Sequence, residues 1–284
     1  MNTVSASAPV STSRLEMDGR RLEVAWHGPP PEAAPTLVFL HEGLGCVGLW
    51  RDFPARLAAA TGCGALVYSR LGYGGSDPAP LPWPVSFMHH EALETLPAVL
   101  EACGIREALL VGHSDGASIA LIHAAARTAD RVRGLVLEAP HVFVEPLTVR
   151  SIAAAAEAYR SGALRARLER YHGSNTDGAF LGWSGVWLNP EFLAWNIEEF
   201  LPKVHVPVLV VQGRDDEYGT LRQVESVQKS CAGPVLRLSL ARCGHSPHRD
   251  QPLLTQAGMA VFLRLEVLEP ARAQGPQPEP KTVR

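Results

Sequence analysis

ALLVGHSDGASIALIHAAAR, residues 108–127, is the stretch on which the fold turns. Ala108 to Val111 is an apolar run the length of one buried strand, and Asp115 to Arg127 reads as a helix. Between them, Gly112-His113-Ser114-Asp115-Gly116 leaves room only for a tight turn. A strand that reverses so sharply into a helix crowds the residues flanking the turn, so glycine at 112 and at 116 has a steric reason. The hydroxyl of Ser114 is thereby held out at a sheet edge, over a helix N-terminus that favours developing negative charge. Read alone, the five residues are equally a βα turn with a capping serine.

Outward from this turn, Trp50 to Ala60 reads as helix, Ala65 to Ser69 as strand, His90 to Ala102 as helix and Gly134 to Glu138 as strand. Leu37 to Leu40 is a strand running into His41-Glu42-Gly43-Leu44-Gly45. Arg14 to Met17 and Arg21 to Trp26 flank an Asp18-Gly19 turn and read as a hairpin. Alternation resumes with a strand at Val206 to Val211, a helix at Leu221 to Lys229, a strand at Val235 to Leu240 and a helix at Leu253 to Leu268. Such alternation predicts an α/β fold, with a mainly parallel central sheet and helices on both faces. Ligands of such sheets bind outside the carboxyl ends of the strands. Residues 141–204 interrupt the pattern with an Ala-rich helical start, Ile152 to Tyr159, and then an aromatic run. They predict a helical cap inserted in a core made of 1–140 and 205–270. Met1 to Arg14 reads as a loose tail and Ala271 to Arg284 as a disordered one.

A serine hydroxyl becomes nucleophilic when a base within hydrogen-bond reach takes its proton and a third group orients that base. In an architecture of this type the chain order is Ser, Asp or Glu, then His. Gly213-Arg214-Asp215-Asp216 follows one predicted strand and Cys243-Gly244-His245 follows the next, both on the same sheet edge as Ser114.

With these four segments in order, residues 14–268 resemble the α/β-hydrolase superfamily. The resemblance implies that His41 to Gly45 is the oxyanion loop, Gly112 to Gly116 the nucleophile elbow, and Ser114, Asp216 and His245 the catalytic triad. Spacing from Gly213 in the family favours Asp216 over Asp215, which is then a solvated or helix-capping neighbour. The oxyanion donors would be the backbone N–H groups of Gly43 and Asp115, with Leu44 able to replace Gly43. Glu42 departs from the family's usual His-Gly, and a carboxylate there is expected to point away or to bind a cation. The activity implied is hydrolysis of a carboxylic ester of a small to medium apolar substrate through an acyl-enzyme. Cleavage of a C–C bond in a ring-fission product, or of a thioester or lactone, shares the same triad. A non-catalytic ligand-binding protein is the reading from another class.

Composition narrows the rest. The chain has 284 residues, 46% hydrophobic and 19% charged, with a net charge of -3, enough to bury a large core and without the basic footprint of a nucleic-acid binder. No run approaches the ~18 apolar residues of a membrane span, and Met1 to Arg14 lacks the pattern of a secretory signal. The five cysteines (Cys46, Cys63, Cys103, Cys231, Cys243) contain no C-x-x-C pair, which predicts reduced thiols and a cytoplasmic location. His41-Glu42 fails the H-E-x-x-H pattern because residue 45 is glycine, and no metal or cofactor is expected. His113 is expected to pack beside the nucleophile, His123 on a core helix and His89-His90 at a helix start. Within the aromatic run, Trp183 and Trp187 are the residues expected to line an apolar acyl pocket, although indoles at such positions also pack helices. The expected partner is a small-molecule substrate, not nucleic acid or a membrane, and the oligomeric state is left open.

Overall fold

The computed structural model describes residues 11–126 and 130–269. Its sheet has eight strands, β1 (Ser13–Met17), β2 (Arg20–His27), β3 (Thr36–Leu40), β4 (Gly64–Tyr68), β5 (Ala108–His113), β6 (Val132–Glu138), β7 (Val208–Gly213) and β8 (Val235–Leu240). Their spatial order is β1-β2-β4-β3-β5-β6-β7-β8. The hairpin strand β2 meets β4 antiparallel, and every pairing from β4 to β8 is parallel. The hairpin strand expected from Arg14 opens one residue earlier, with Ser13, expected in a loose tail, opposite Val24 and Arg14 opposite Glu23. The tail expected at 271–284 lies outside the described residues, as does Arg127 at the end of the helix expected after Ser114.

The inner parallel strands β3 to β7 are apolar on both faces because both are covered. Val38, Leu110, Leu135, Leu137, Val208 and Val210 face one cluster, while the alternating Leu37, Phe39, Leu109, Val111, Val136 and Val211 face the other. The second face is closed by α1 (Phe53–Thr61) through Phe53 and Leu57, and later by α10 (Pro252–Phe262) through Met259 and Phe262. The first face is closed by a continuous helical stretch made of α2 (Phe87–His90), a π turn (Glu91–Thr95) and α3 (Leu96–Ala102), and by α4 (Asp115–Ala124). That stretch starts at Phe87, before the expected His90, and His89 and His90 lie in its first turn.

After Glu138 the chain leaves the sheet and returns at Val208. Between them run α5 (Pro146–Arg160), α6 (Ala163–His172), α7 (Thr176–Trp187) and 3-10 turns at Pro190–Ala194 and Glu198–Lys203. α5 starts at Pro146, with the proline at a position where its missing N–H costs nothing. Ile152, Tyr159, Leu168 and Phe180 from these helices join the cluster on the first sheet face, and Tyr159 stacks on Phe180 at 3.8 Å. The helices are also tied to the strand-end loops. Thr148 Oγ1 donates to Tyr218 O at 2.6 Å, and Glu145 accepts from Thr220 N–H at 2.9 Å. His172 accepts from Gly74 N–H and donates to Leu44 O, each at 3.0 Å. After β7, α8 (Leu221–Ser230) packs on the first face, and α9 (Pro247–Asp250) follows β8.

Candidate active site

β5 ends at His113 and α4 starts at Asp115, leaving Ser114 alone in the turn at φ 53° and ψ -116°. A non-glycine residue held there costs about 1–3 kcal/mol. The surrounding backbone enforces it, because Ser114 N–H is committed to Glu138 O at 2.9 Å. A Cβ on Gly112 would lie 2.4 Å from Gly116 O, and one on Gly116 only 2.0 Å from Leu40 O. Both flanking positions therefore require glycine, as the sequence predicts.

The two later loops deliver their side chains to this hydroxyl. His245 Nε2 lies 2.9 Å from Ser114 Oγ, and His245 Nδ1 lies 2.9 Å from both carboxylate oxygens of Asp216. Asp216 Oδ1 also accepts from the N–H groups of Tyr218 and Gly219, and Oδ2 accepts from Gln212 Nε2 at 2.7 Å. Burial opposes the Asp216 charge, but His245 and these N–H groups outweigh it and hold its pKa down at about 2. Asp215 is exposed and does not reach the histidine; its N–H donates to Cys243 O. The ring of Tyr218 lies against His245, with centroids 4.8 Å apart.

The loop after β3 is organised by its carbonyl groups. Arg70 donates to His41 O at 2.6 Å and to Glu42 O at 3.1 Å, Tyr73 Oη donates to Gly43 O at 2.8 Å, and His172 holds Leu44 O. With its carbonyls tied to these donors, the loop keeps the N–H groups of Gly43 and Leu44 without an acceptor among the described residues. Asp115 N–H, first in α4, is likewise free there. All three residues line one cavity with Ser114, where unpaired N–H groups can receive an anionic oxygen. The sequence reading missed Arg70, which is 2% exposed; its signal is a basic residue at the end of a wholly buried strand.

His113 is more than the packing residue expected. Its Nε2 is 2.6 Å from His245 O and its Nδ1 is 3.5 Å from Glu42 Oε2, an ion-pair distance longer than a tight hydrogen bond. Burial opposes a charge on His113, but Glu42, with Glu138 and the His245 carbonyl, pushes its pKa up to about 9. Glu42 is held ionised in return against the cost of its own burial. The carboxylate that departs from the family pattern thus turns toward a cation supplied by the chain itself. Behind them, Glu138 accepts from both His248 N–H and His248 Nδ1, at 3.1 and 2.8 Å.

A cavity of about 170 Å³ opens over Ser114 and His245. Its apolar wall is Leu44, Ile152, Trp183 and Trp187, so both predicted indoles line it. Both also pack: Trp187 is 1% exposed and meets Phe192 and Trp195, and the indole of Trp183 so covers Gly43 that a Cβ there would be 2.0 Å from Nε1. Polar groups share the lining: Glu42, Asp115, Glu217, His141 and Tyr218. His141 was also missed in the sequence, although it follows β6 at the ligand-binding edge of the sheet. Burial pushes its pKa down to about 3, leaving a neutral ring. Among the described residues no group of three or more His, Cys, Asp or Glu is placed to hold a metal, and no helix is long and apolar enough to cross a membrane.

Residues 37–255 match the model of the alpha/beta hydrolase family. No curated protein matches the chain. Among solved structures, the esterase RhEst1 from Rhodococcus sp. ECU1013 is 22% identical, with a TM-score of 0.67 over 91% of this chain and 100% of its own. An alpha/beta hydrolase enzyme from a Medee basin deep-sea metagenome library is 18% identical, with a TM-score of 0.71 over 89% of this chain and 97% of its own. The enol-lactonase from Burkholderia xenovorans LB400 is 19% identical, with a TM-score of 0.68 over 89% of this chain and 100% of its own. At these identities the likeness is one of fold.

Proposed function

The chain belongs to the alpha/beta hydrolase family, and from that premise we propose that it is a serine hydrolase cleaving a carboxylic ester of a small molecule through an acyl-enzyme. The observation that carries this reading is the relay from Asp216 through His245 to Ser114, in which each contact is 2.9 Å. Ser114 Oγ attacks the ester carbonyl as its proton passes to His245 Nε2. The resulting oxyanion takes hydrogen bonds from the N–H groups of Asp115 and of Gly43 or Leu44. Collapse of the tetrahedral intermediate breaks the bond to the alkoxy oxygen, which leaves as the alcohol with the proton from His245. Water then attacks the acyl-serine, gives its proton to His245, and the acid departs as Ser114 regains its hydrogen. Asp216 keeps the Nδ1 proton in place and stabilises the imidazolium formed in each half. A serine at the elbow suits acyl transfer, whereas alkyl transfer in epoxide opening needs a carboxylate nucleophile there. The helices α5 to α7 act as a cap that shapes the acyl site.

The test is turnover of short p-nitrophenyl esters by the wild type and by Ser114→Ala. The variant is expected to lose about three or more orders of magnitude in kcat. Wild-type rates in Ser114→Ala would remove the proposal.

A further inference from the structure

Asp115 does more at this site than begin a helix. It directly follows the nucleophile, is 1% exposed, and is one of the residues lining the cavity with Ser114. One carboxylate oxygen, Oδ1, accepts from Trp187 Nε1 at 3.2 Å. The other, Oδ2, is buried with no hydrogen-bond partner among the described residues. The remaining acids of the lining are met by the protein: Glu42 pairs with His113, and Glu217 accepts from His245 N–H at 3.3 Å. No lysine or arginine lines the cavity, and Arg70 directs its guanidinium donors to the carbonyls of His41 and Glu42. A buried carboxylate oxygen left without a donor is costly, and a ligand supplying the donor removes that cost.

The geometry points to Asp115 as a substrate-recognition residue that binds an O–H or N–H group of the acyl chain close to the scissile carbonyl, selecting hydroxyacyl or aminoacyl esters over plain alkyl and anionic ones. This rests on the serine hydrolase reading above. Burial raises the Asp115 pKa to about 6, and its unpartnered Oδ2 is the oxygen left open to a donor. A carboxylate-bearing acyl chain would meet the Asp115 carboxylate with like charge, and the one charged imidazole of the lining, His113, is already paired with Glu42. Ring-fission products bearing a carboxylate near the cleaved bond are disfavoured for the same reason. Asp115 and Ser114 share the lining of the cavity, which brings a polar substituent near the reacting carbon within reach of the carboxylate.

The experiment compares four p-nitrophenyl esters of similar acyl size, the lactate, the alaninate, the isobutyrate and the hemisuccinate, each rate divided by that of spontaneous hydrolysis. In the wild type, kcat/KM for the lactyl or alanyl ester is expected to exceed that for isobutyryl by about 10- to 100-fold, with the hemisuccinate below all three. Preference for alanyl over lactyl would identify a cationic amine as the group recognised, and the reverse a neutral hydroxyl. Asp115→Leu should abolish the preference, and Asp115→Asn should weaken it most for the alanyl ester, where charge matters. The wild-type ratios decide even if neither variant folds. Ser114-dependent turnover with isobutyryl equal to lactyl and alanyl would overturn this inference and leave the hydrolase reading standing. Absence of any Ser114-dependent turnover would remove both.

Discussion

The strand-end loops and the helices facing them build one cavity by different means. On the sheet side, position is set by local backbone. Among the described residues, three of the five non-glycine residues with positive φ, Ser114, Ala139 and Arg242, follow the ends of β5, β6 and β8. None lies between α5 and the return at β7. On the helix side, Trp183 and Trp187 reach the cavity because neighbouring rings and the sheet face leave them no other place. Backbone strain of this kind is stable only where the surroundings over-determine it, whereas a packed wall can be reshaped at the cost of a cavity. On the proposed reading, the nucleophile Ser114 sits on the first kind of support and the shape of the acyl site on the second.

The comparison breaks most visibly at the acid. Asp216→Asn is expected to cut kcat by about 10³- to 10⁴-fold, because the amide cannot hold His245 in the productive tautomer. Asp215→Asn, at an exposed residue, should stay close to wild type. Equal losses in steady-state assays of the two would mean that the orientation of His245 is not fixed by the 2.9 Å contacts to Asp216.

On the helix side the two indoles should separate. Trp187→Ala removes a side chain packed against Phe192, Trp195 and His141, and is expected to cost about 3–5 kcal/mol in denaturant unfolding. Trp183→Ala should act on selectivity instead, because the indole forms the wall over Gly43. Removing it enlarges the site, and relative kcat/KM should shift toward longer acyl chains by about 1–3 kcal/mol. Equal effects of both changes on stability, with no shift in acyl-length profile, would assign both indoles to packing alone.

The smallest effect is a pH dependence that joins the two kinds of support. The pKa of His113 rises from its ordinary 6.5 to about 9 in the folded chain, so its pairing with Glu42 stabilises fully below about 6.5 and is lost as pH rises through about 9. The 3.5 Å separation and the partial exposure of Glu42 keep the contribution near 1–2 kcal/mol. Melting curves of the wild type should therefore fall between pH 6.5 and 9, and those of Glu42→Gln should fall less. Parallel curves would mean that the pair contributes nothing to folding.

What the sequence reveals follows the same division. Gly112, Ser114 and Gly116 are legible because steric need acts within five residues, and Asp216 and His245 because each lies in the loop that follows a predicted strand. The clamp of Arg70 on His41 and Glu42, the pairing of Glu42 with His113, and the place of His141 are not legible. Each joins segments that meet only once the sheet has formed. Ser13 reads as tail because an exposed edge strand has little apolar pattern. α5 is read too short because its first turn carries only the Pro146 signal ahead of the Ala-rich face. The mixed lining of the cavity was hidden for another reason: Asp115 looks like an ordinary first-turn acid until Trp187 is seen to satisfy only one of its oxygens.

The central claim is that Ser114 is a nucleophile activated by His245, and covalent labelling by a fluorophosphonate followed by intact mass and peptide mapping tests it most directly. One adduct on Ser114 is predicted in the wild type, forming far more slowly in His245→Ala and absent in Ser114→Ala. An unlabelled wild type, an adduct that persists in Ser114→Ala, or labelling equally fast without His245 would contradict it.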